Sequence, residues 1–177
     1  MKQVHENSPV LVAAGQETFR DLDPSRTIVD ALESVLRQLF TDTSKKNLLG
    51  LVDSIYTVPS LATYMPELQE LIPRNVGAQL STRLGIKDAS TFSGDMGGSL
   101  PQDFINKAAD RLASGKSEAA LIIGGELLAT LKHAQREGLS LSKWSCGEEP
   151  SPIMIGMRRD PSYDSERAHG VYAPINA

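Results

Sequence analysis

One stretch of the chain, residues 91–126, limits the fold more than any other, because it reads as a strand, a helix and a second strand in direct succession. A turn containing Gly94, Gly97 and Gly98 separates the first strand from the helix, and Gly115 ends the helix before an apolar strand. Parallel strands need a crossover connection of this kind, usually a helix. We therefore expect an α/β layered domain with a mainly parallel mixed sheet and helices on both faces.

The same alternation continues along the whole chain. Continuous apolar runs of strand length predict strands that are buried on both faces. Such runs lie at residues 9–14 and 119–123. Further short strands are expected at residues 54–58, 89–93 and 152–157. We find no linker, repeat or low-complexity tract, so we expect residues 1–177 to form one domain.

Helical periodicity fills the segments between these strands. An amphipathic helix is expected after Pro24 and Ser25, ending near Phe40, because apolar residues recur at steps of three and four. These residues are Ile28, Ala31, Leu32, Val35, Leu36 and Leu39. Further helices are expected at residues 75–84 before Gly85 and at 127–137 before Gly138, and residues 61–73 are expected to form a loop.

The helix that follows the glycine turn has the clearest start signals. Ser99 and Pro101 stand where helices begin, and Asp103 suits the first turn. Its expected apolar face consists of Phe104, Ile105, Ala108, Ala109 and Leu112.

The composition excludes several functional classes. A net charge of -4 without a basic cluster argues against nucleic-acid binding, which requires clustered Lys and Arg. No apolar stretch approaches the roughly twenty residues of a membrane span, and residues 1–10 are too polar for a secretory signal. Cys146 is the only cysteine, which gives no sign of an oxidising compartment. We expect a cytoplasmic protein that contacts neither membrane nor nucleic acid.

The glycine turn and its flanks resemble those of the thiolase superfamily. Members of this family carry a Gly-Gly-x-x-Pro-Gln type turn in some acetyl-CoA acetyltransferase-like branches, and a buried strand ending in Gly-Gly-x-Glu. The matching residues here are Gly97, Gly98, Pro101, Gln102, Gly115 and Glu126, with weaker matches at residues 10–16, Glu137, Gly138 and Trp144. The family places its nucleophilic cysteine at the helix start, and this chain has Gly98 at that position.

The resemblance implies the N-terminal half of a two-part protein whose halves are each βαβαβαββ units. The absent half would supply histidines and a second cysteine, and residues 171–177 read as if the chain were cut off. The expected substrate is a coenzyme A thioester and no covalently bound cofactor is expected. Because Gly98 cannot form a thioester, the isolated chain is expected to be an inactive portion of an acyl-CoA acyltransferase. The alternative is a non-catalytic thiolase-fold scaffold or partner subunit of an acyl-CoA-processing complex.

The family also implies a dimer, because its third strand pairs across the subunit interface. Here that strand would comprise Ala89, Ser90, Thr91, Phe92 and Ser93. We therefore expect a homodimer through these residues, or contact with a partner acyl-CoA protein.

Two interpretations of the turn remain open. The glycines supply positive φ or close backbone approach, or else Gly97, Gly98 and Ser99 present backbone N–H groups to an anion or a thioester oxygen. Ser99 lacks an adjacent base, so capping of the helix is its expected role.

Other candidate sites are weaker. Cys146 lies beside Glu148 and Glu149 and reads as an ordinary loop cysteine. The histidines and Cys146 have no metal-ligand spacing, and the glycines fit neither G-x-G-x-x-G nor the P-loop pattern.

The charged residues of the central helix and its turn read as a solvated face or as contacts to a coenzyme A phosphate; they are Lys107, Asp110, Arg111 and Lys116.

Overall fold

The computed structural model describes residues 8–41, 46–95, 97–156 and 168–169. Its helices are α1 Ile28–Leu39, α2 Lys46–Leu49, α3 Val76–Leu84, α4 Leu100–Ala113 and α5 Leu128–Glu137, and its strands are β1 Val52–Val58, β2 Ser90–Gly94, β3 Ala119–Gly124 and β4 Ile153–Ile155. Two short 3-10 helices, Leu61–Tyr64 and Gln69–Leu71, lie in the segment that the sequence predicts as a loop.

The four strands form one sheet in the order β3-β1-β2-β4, and every described pairing is parallel. Ile55 of β1 lies opposite Thr91 on one side and Leu121 on the other. The predicted α/β layered fold with a parallel sheet is therefore confirmed.

Helices cover both faces of the sheet. Because side chains alternate along β1, neighbouring residues of this strand pack against different helices. Ile55 joins the larger apolar cluster, which contains Leu32 of α1, Leu80 of α3 and Leu131 of α5. The next residue, Tyr56, joins a separate cluster on the α4 side. Its ring stacks on Phe92 with centroids 4.6 Å apart and lies 5.6 Å from the ring of Phe104.

The predicted helix ends agree closely with the structure. α1 begins at Ile28, three residues after the predicted start signal Ser25, and its cap is Thr27, which forms a reciprocal capping box with Asp30. Gly85 and Gly138 end α3 and α5 in the left-handed conformation, at φ 69° and 65°. Glycine adopts this conformation without the steric cost that a side chain brings, so these two ends are readable from sequence.

The predicted first strand, residues 9–14, is wrong. The segment has no regular structure, and Val10, Leu11 and Val12 are 69%, 87% and 58% exposed. None of the described strands pairs with it. Apolar side chains favour burial, but burial also requires a partner surface. The described residues provide no such surface for this run.

The predicted apolar face of α4 is also partly wrong, because Ile105 is 50% exposed. The buried stripe consists of Leu100, Phe104 and Ala108, which follow one another at four-residue steps. Ile105 lies one residue further round the helix, outside this narrow stripe. The last predicted strand is shorter than expected, Ile153–Ile155, and residue 157 of that prediction lies outside the described residues.

Asp53 joins β1 to the start of β3. Its carboxylate accepts hydrogen bonds from the hydroxyl of Ser117, from Ser54 Oγ at 2.9 Å and from the backbone N–H of Glu118 at 2.8 Å. Burial raises the pKa of this carboxyl, but the hydrogen bonds from Ser117, Glu118 and Ser54 outweigh burial and hold the pKa below its usual value. Asp53 therefore stabilises the fold in its ionised form.

Replacement of Asp53 with asparagine is expected to lower the free energy of unfolding by about 1 to 2 kcal/mol at pH 7. Because the folded-state pKa is depressed, this stabilisation is present above the unfolded value of about 4 and is lost as pH falls through the folded value. Urea unfolding at pH 7 and at pH 3 measures the difference. The exposed Asp110→Asn variant is the control and should unfold like the wild type; a D53N deficit that persists at low pH contradicts the assignment.

Replacement of Leu11 with lysine tests the correction to residues 9–14. Because Leu11 is 87% exposed, the substitution should change the free energy of unfolding by less than about 0.5 kcal/mol. A lysine in a buried strand would instead cost several kcal/mol. Leu131→Lys, at a fully buried position of α5, provides the matched destabilising variant in the same denaturation assay.

Candidate functional site

A cavity of about 620 Å³ lies where β1 and β2 end. Because the strands are parallel, their carboxyl ends meet at the same edge of the sheet. In open α/β sheets, ligands bind in the crevice outside this edge. The volume also falls within the range of small-molecule sites. This cavity is therefore the candidate functional site of the described residues.

Glu126 fixes the neighbouring strand ends. It follows β3, and its carboxylate accepts from Ser60 Oγ at 2.9 Å and from the backbone N–H of Leu61 at 2.7 Å. Ser60 and Gly125 both line the cavity. The strand ends in Gly124, Gly125 and Glu126, one residue shorter than the Gly-Gly-x-Glu pattern. Glu126 holds the segment after β1 against the segment after β3, so its side chain has a structural role here.

Asn75 organises the wall formed by the start of α3. Its side-chain oxygen accepts from the backbone N–H of Ala78 at 3.0 Å, and its amide nitrogen donates to Thr91 Oγ1 at 2.9 Å and to the carbonyl of Pro150 at 2.7 Å. These bonds engage both ends of the amide group. Asn75 therefore ties α3 to β2 and to the segment before β4 without offering a free group to a ligand.

Thr57 carries the buried side-chain polar atom of the cavity wall that lacks a partner among the described residues. It is 7% exposed, and among the described residues its hydroxyl makes no hydrogen bond. Its Oγ1 faces the first turn of α3, since a Cβ built on Gly77 would lie 3.1 Å from it. A buried hydroxyl without a partner costs about 1 to 3 kcal/mol, so its presence requires a reason.

Cys146 lines the same cavity, which the sequence does not predict. The side chain is partly buried, and its backbone carbonyl accepts from the N–H of Arg74 at 3.0 Å. That bond brings a distant loop to the start of α3. No histidine of the described part lines the cavity, and His133 instead contacts Arg136 on α5 at 3.2 Å. The described residues thus give the Cys146 thiol no imidazole base.

The predicted site at Gly97, Gly98 and Ser99 lies elsewhere. All three residues are exposed at the start of α4, and none lines the cavity. Ser99 occupies the cap position but makes no side-chain capping bond, so its predicted capping contact is wrong.

The structural interpretation of the glycines is confirmed at one position only. A Cβ on Gly94 would lie 2.5 Å from Leu100 Cδ1 and 3.0 Å from the carbonyl oxygen of Ile155, so the strand end requires glycine. Gly97 and Gly98 have no positive φ, and a Cβ on either would meet nothing within 4 Å. No contact of the described chain requires glycine at these two positions.

The charged residues of α4 lie away from the cavity. Lys107, Asp110 and Lys116 are exposed and line no part of it, in agreement with the solvated-face interpretation. Arg111 differs, because its guanidinium packs over the Phe92 ring at 5.2 Å and donates to the carbonyl of Lys116 at 3.2 Å.

The predicted dimer strand, Ala89 to Ser93, coincides with β2 except for Ala89, which precedes it, and β2 is an inner strand of the sheet. The edge of β2 that faces away from β1 pairs with β4, through Phe92, Ser93 and Gly94. Before Phe92, the edge of this segment that faces away from β1 pairs with none of the described strands. The homodimer through this strand stays a prediction.

Comparison with protein-family models, with curated proteins and with solved structures gives no match for this chain. No group of three or more His, Cys, Asp or Glu side chains in the described part is placed to hold a metal ion. The described helices are all too short or too polar to span a membrane.

Replacement of Thr57 with valine should raise the free energy of unfolding by about 1 kcal/mol, because valine keeps the shape and removes the unpaired hydroxyl. Thr57→Ser, which keeps the hydroxyl and loses a methyl group, should be less stable than the wild type. Thermal and urea unfolding measure both changes. Destabilisation by valine would mean that the hydroxyl has a partner in the free protein.

Replacement of Gly94 with alanine should cost about 1 to 3 kcal/mol, because the new methyl group meets Leu100 and the backbone of Ile155. Gly98→Ala meets open space and should leave stability unchanged or slightly raised. The difference between the two variants in urea unfolding is the measurement. Equal losses would contradict the described geometry of the turn.

Proposed function

We propose that this chain is a thiolase-like domain of an acyl-CoA acyltransferase and that it binds an acyl thioester in the cavity without forming an acyl-enzyme at position 98. The cavity at the carboxyl edge of the sheet, with one unpaired buried hydroxyl on its wall, carries this proposal. The resemblance of residues 91–126 to thiolases supplies the substrate class.

The lining of the cavity supports a ligand with an apolar arm. Apolar side chains form much of the wall and suit an acyl chain and the pantetheine arm of coenzyme A. They include Ile28, Leu32, Ile72, Val76, Phe92 and Met154. Arg74 is exposed on the same wall and makes no ion pair in the described part, so it suits a phosphate, although Glu70 and Asp95 also line the cavity.

The groups that would turn a bound thioester over are absent from the described wall. Gly98 has no side chain, and no described histidine reaches the cavity. Nucleophilic catalysis needs an activated nucleophile beside a base. We therefore expect binding without turnover by this chain alone, in the cytoplasm, with proton-transfer groups supplied by a further part of the enzyme.

The lack of a nucleophile beside a base on the described wall favours a second candidate, a non-catalytic subunit of an acyl-CoA-processing complex. In that case the chain would bind its thioester for a partner acyl-CoA protein or a second copy. Sedimentation of the 19.1 kDa chain with and without acetyl-CoA separates a monomer from a homodimer.

Isothermal titration with acetyl-CoA tests the proposal. We expect saturable binding, weakened several-fold in Arg74→Glu, whereas Lys107→Glu on the solvated face of α4 should bind like the wild type. Intact-mass spectrometry after incubation should show no added acetyl group, and acetoacetyl-CoA should not be cleaved. Absence of binding would overturn the proposal, and an acetyl group on Cys146 or Ser99 would overturn its non-covalent part.

A further inference from the structure

The strongest unexplained feature of the cavity is the hydroxyl of Thr57. Two neighbouring hydroxyls on the wall are already engaged: Ser60 donates to Glu126, and Ser93 Oγ donates to the carbonyl of Thr57 itself at 3.2 Å. Four buried side-chain polar atoms lack a partner in the described part, and of these only Thr57 Oγ1 belongs to a residue that lines the cavity. Thr57 is therefore the buried group still able to bond a ligand.

The position of Thr57 decides what kind of group it binds. It faces the N-terminal turn of α3, a helix of nine residues. Val76, the first residue of that helix, lines the cavity, and its amide has no acceptor within the helix because no turn precedes it. The partial positive charge at a helix start favours an oxygen with negative character. A carbonyl oxygen accepts from both groups, whereas an ammonium group only donates and therefore leaves the Val76 amide without an acceptor.

From this geometry we infer that Thr57 and the Val76 amide bind the acyl carbonyl oxygen of the thioester. The inference rests on the proposed function and deepens it, because it moves carbonyl recognition from the start of α4, where Gly97, Gly98 and Ser99 lie, to the start of α3. Thr57 is then a binding residue that orients the acyl group. The reaction itself is left to groups outside the described cavity.

The test compares acetyl-CoA with S-ethyl-coenzyme A, a thioether of nearly the same shape that lacks the carbonyl oxygen. Calorimetric titration of the wild-type chain should show acetyl-CoA binding about five- to tenfold more tightly, the change expected for one or two hydrogen bonds. Thr57→Val should bring this ratio close to one, and Thr57→Ser, which keeps the hydroxyl, should preserve most of it. Near-ultraviolet circular dichroism checks that each variant is folded.

A second readout follows the carbonyl directly. The infrared C=O stretch of acetyl-CoA carrying a ¹³C label should move to lower frequency on binding to the wild type and less so in Thr57→Val, because hydrogen bonds polarise the carbonyl. A ratio or a stretch unchanged in folded Thr57→Val overturns the inference. Equal binding of both ligands by the wild type overturns it while the proposed function survives, and binding of neither ligand overturns both.

Discussion

The structure depends on the parallel pairing of β1 with β2 on one side and with β3 on the other. This pairing buries β1 on both faces and at both edges, so that Ile55 and Tyr56 anchor the two apolar clusters. It also places the ends of three strands at one edge of the sheet. The cavity, the Glu126 bridge and the unpaired Thr57 hydroxyl all follow from that arrangement.

Much of this fold is readable from the sequence because its signals are local. The period of α1, the glycines that end α3 and α5, and the apolar runs of β1 and β3 each depend on neighbours within a few residues. Residues 9–14 show the limit of such signals. Their apolar composition is as strong as that of β3, but a strand forms only where another segment offers it a partner edge.

The candidate site is much harder to predict from the sequence, because its wall combines segments that are far apart in the chain. The bond between Arg74 and Cys146 brings two such segments together, and no motif marks either residue. The glycine turn attracts attention in the sequence, yet Gly98 and Ser99 lie outside the cavity. Thr57 looks like an ordinary strand residue. A threonine in a strand that also contains Asp53 and Ser54 is a weak signal, and only the absence of a partner for its hydroxyl distinguishes it.

We propose that an acyl thioester binds at the carboxyl edge of β1 and β2. Amide resonances of the ¹⁵N-labelled chain, followed during titration with acetyl-CoA, test it most directly. The largest saturable shifts are expected at residues that line the cavity, namely Thr57, Ser60, Val76, Gly94 and Cys146. Shifts confined to Gly97, Gly98 and Ser99, or no shifts at all, would contradict it.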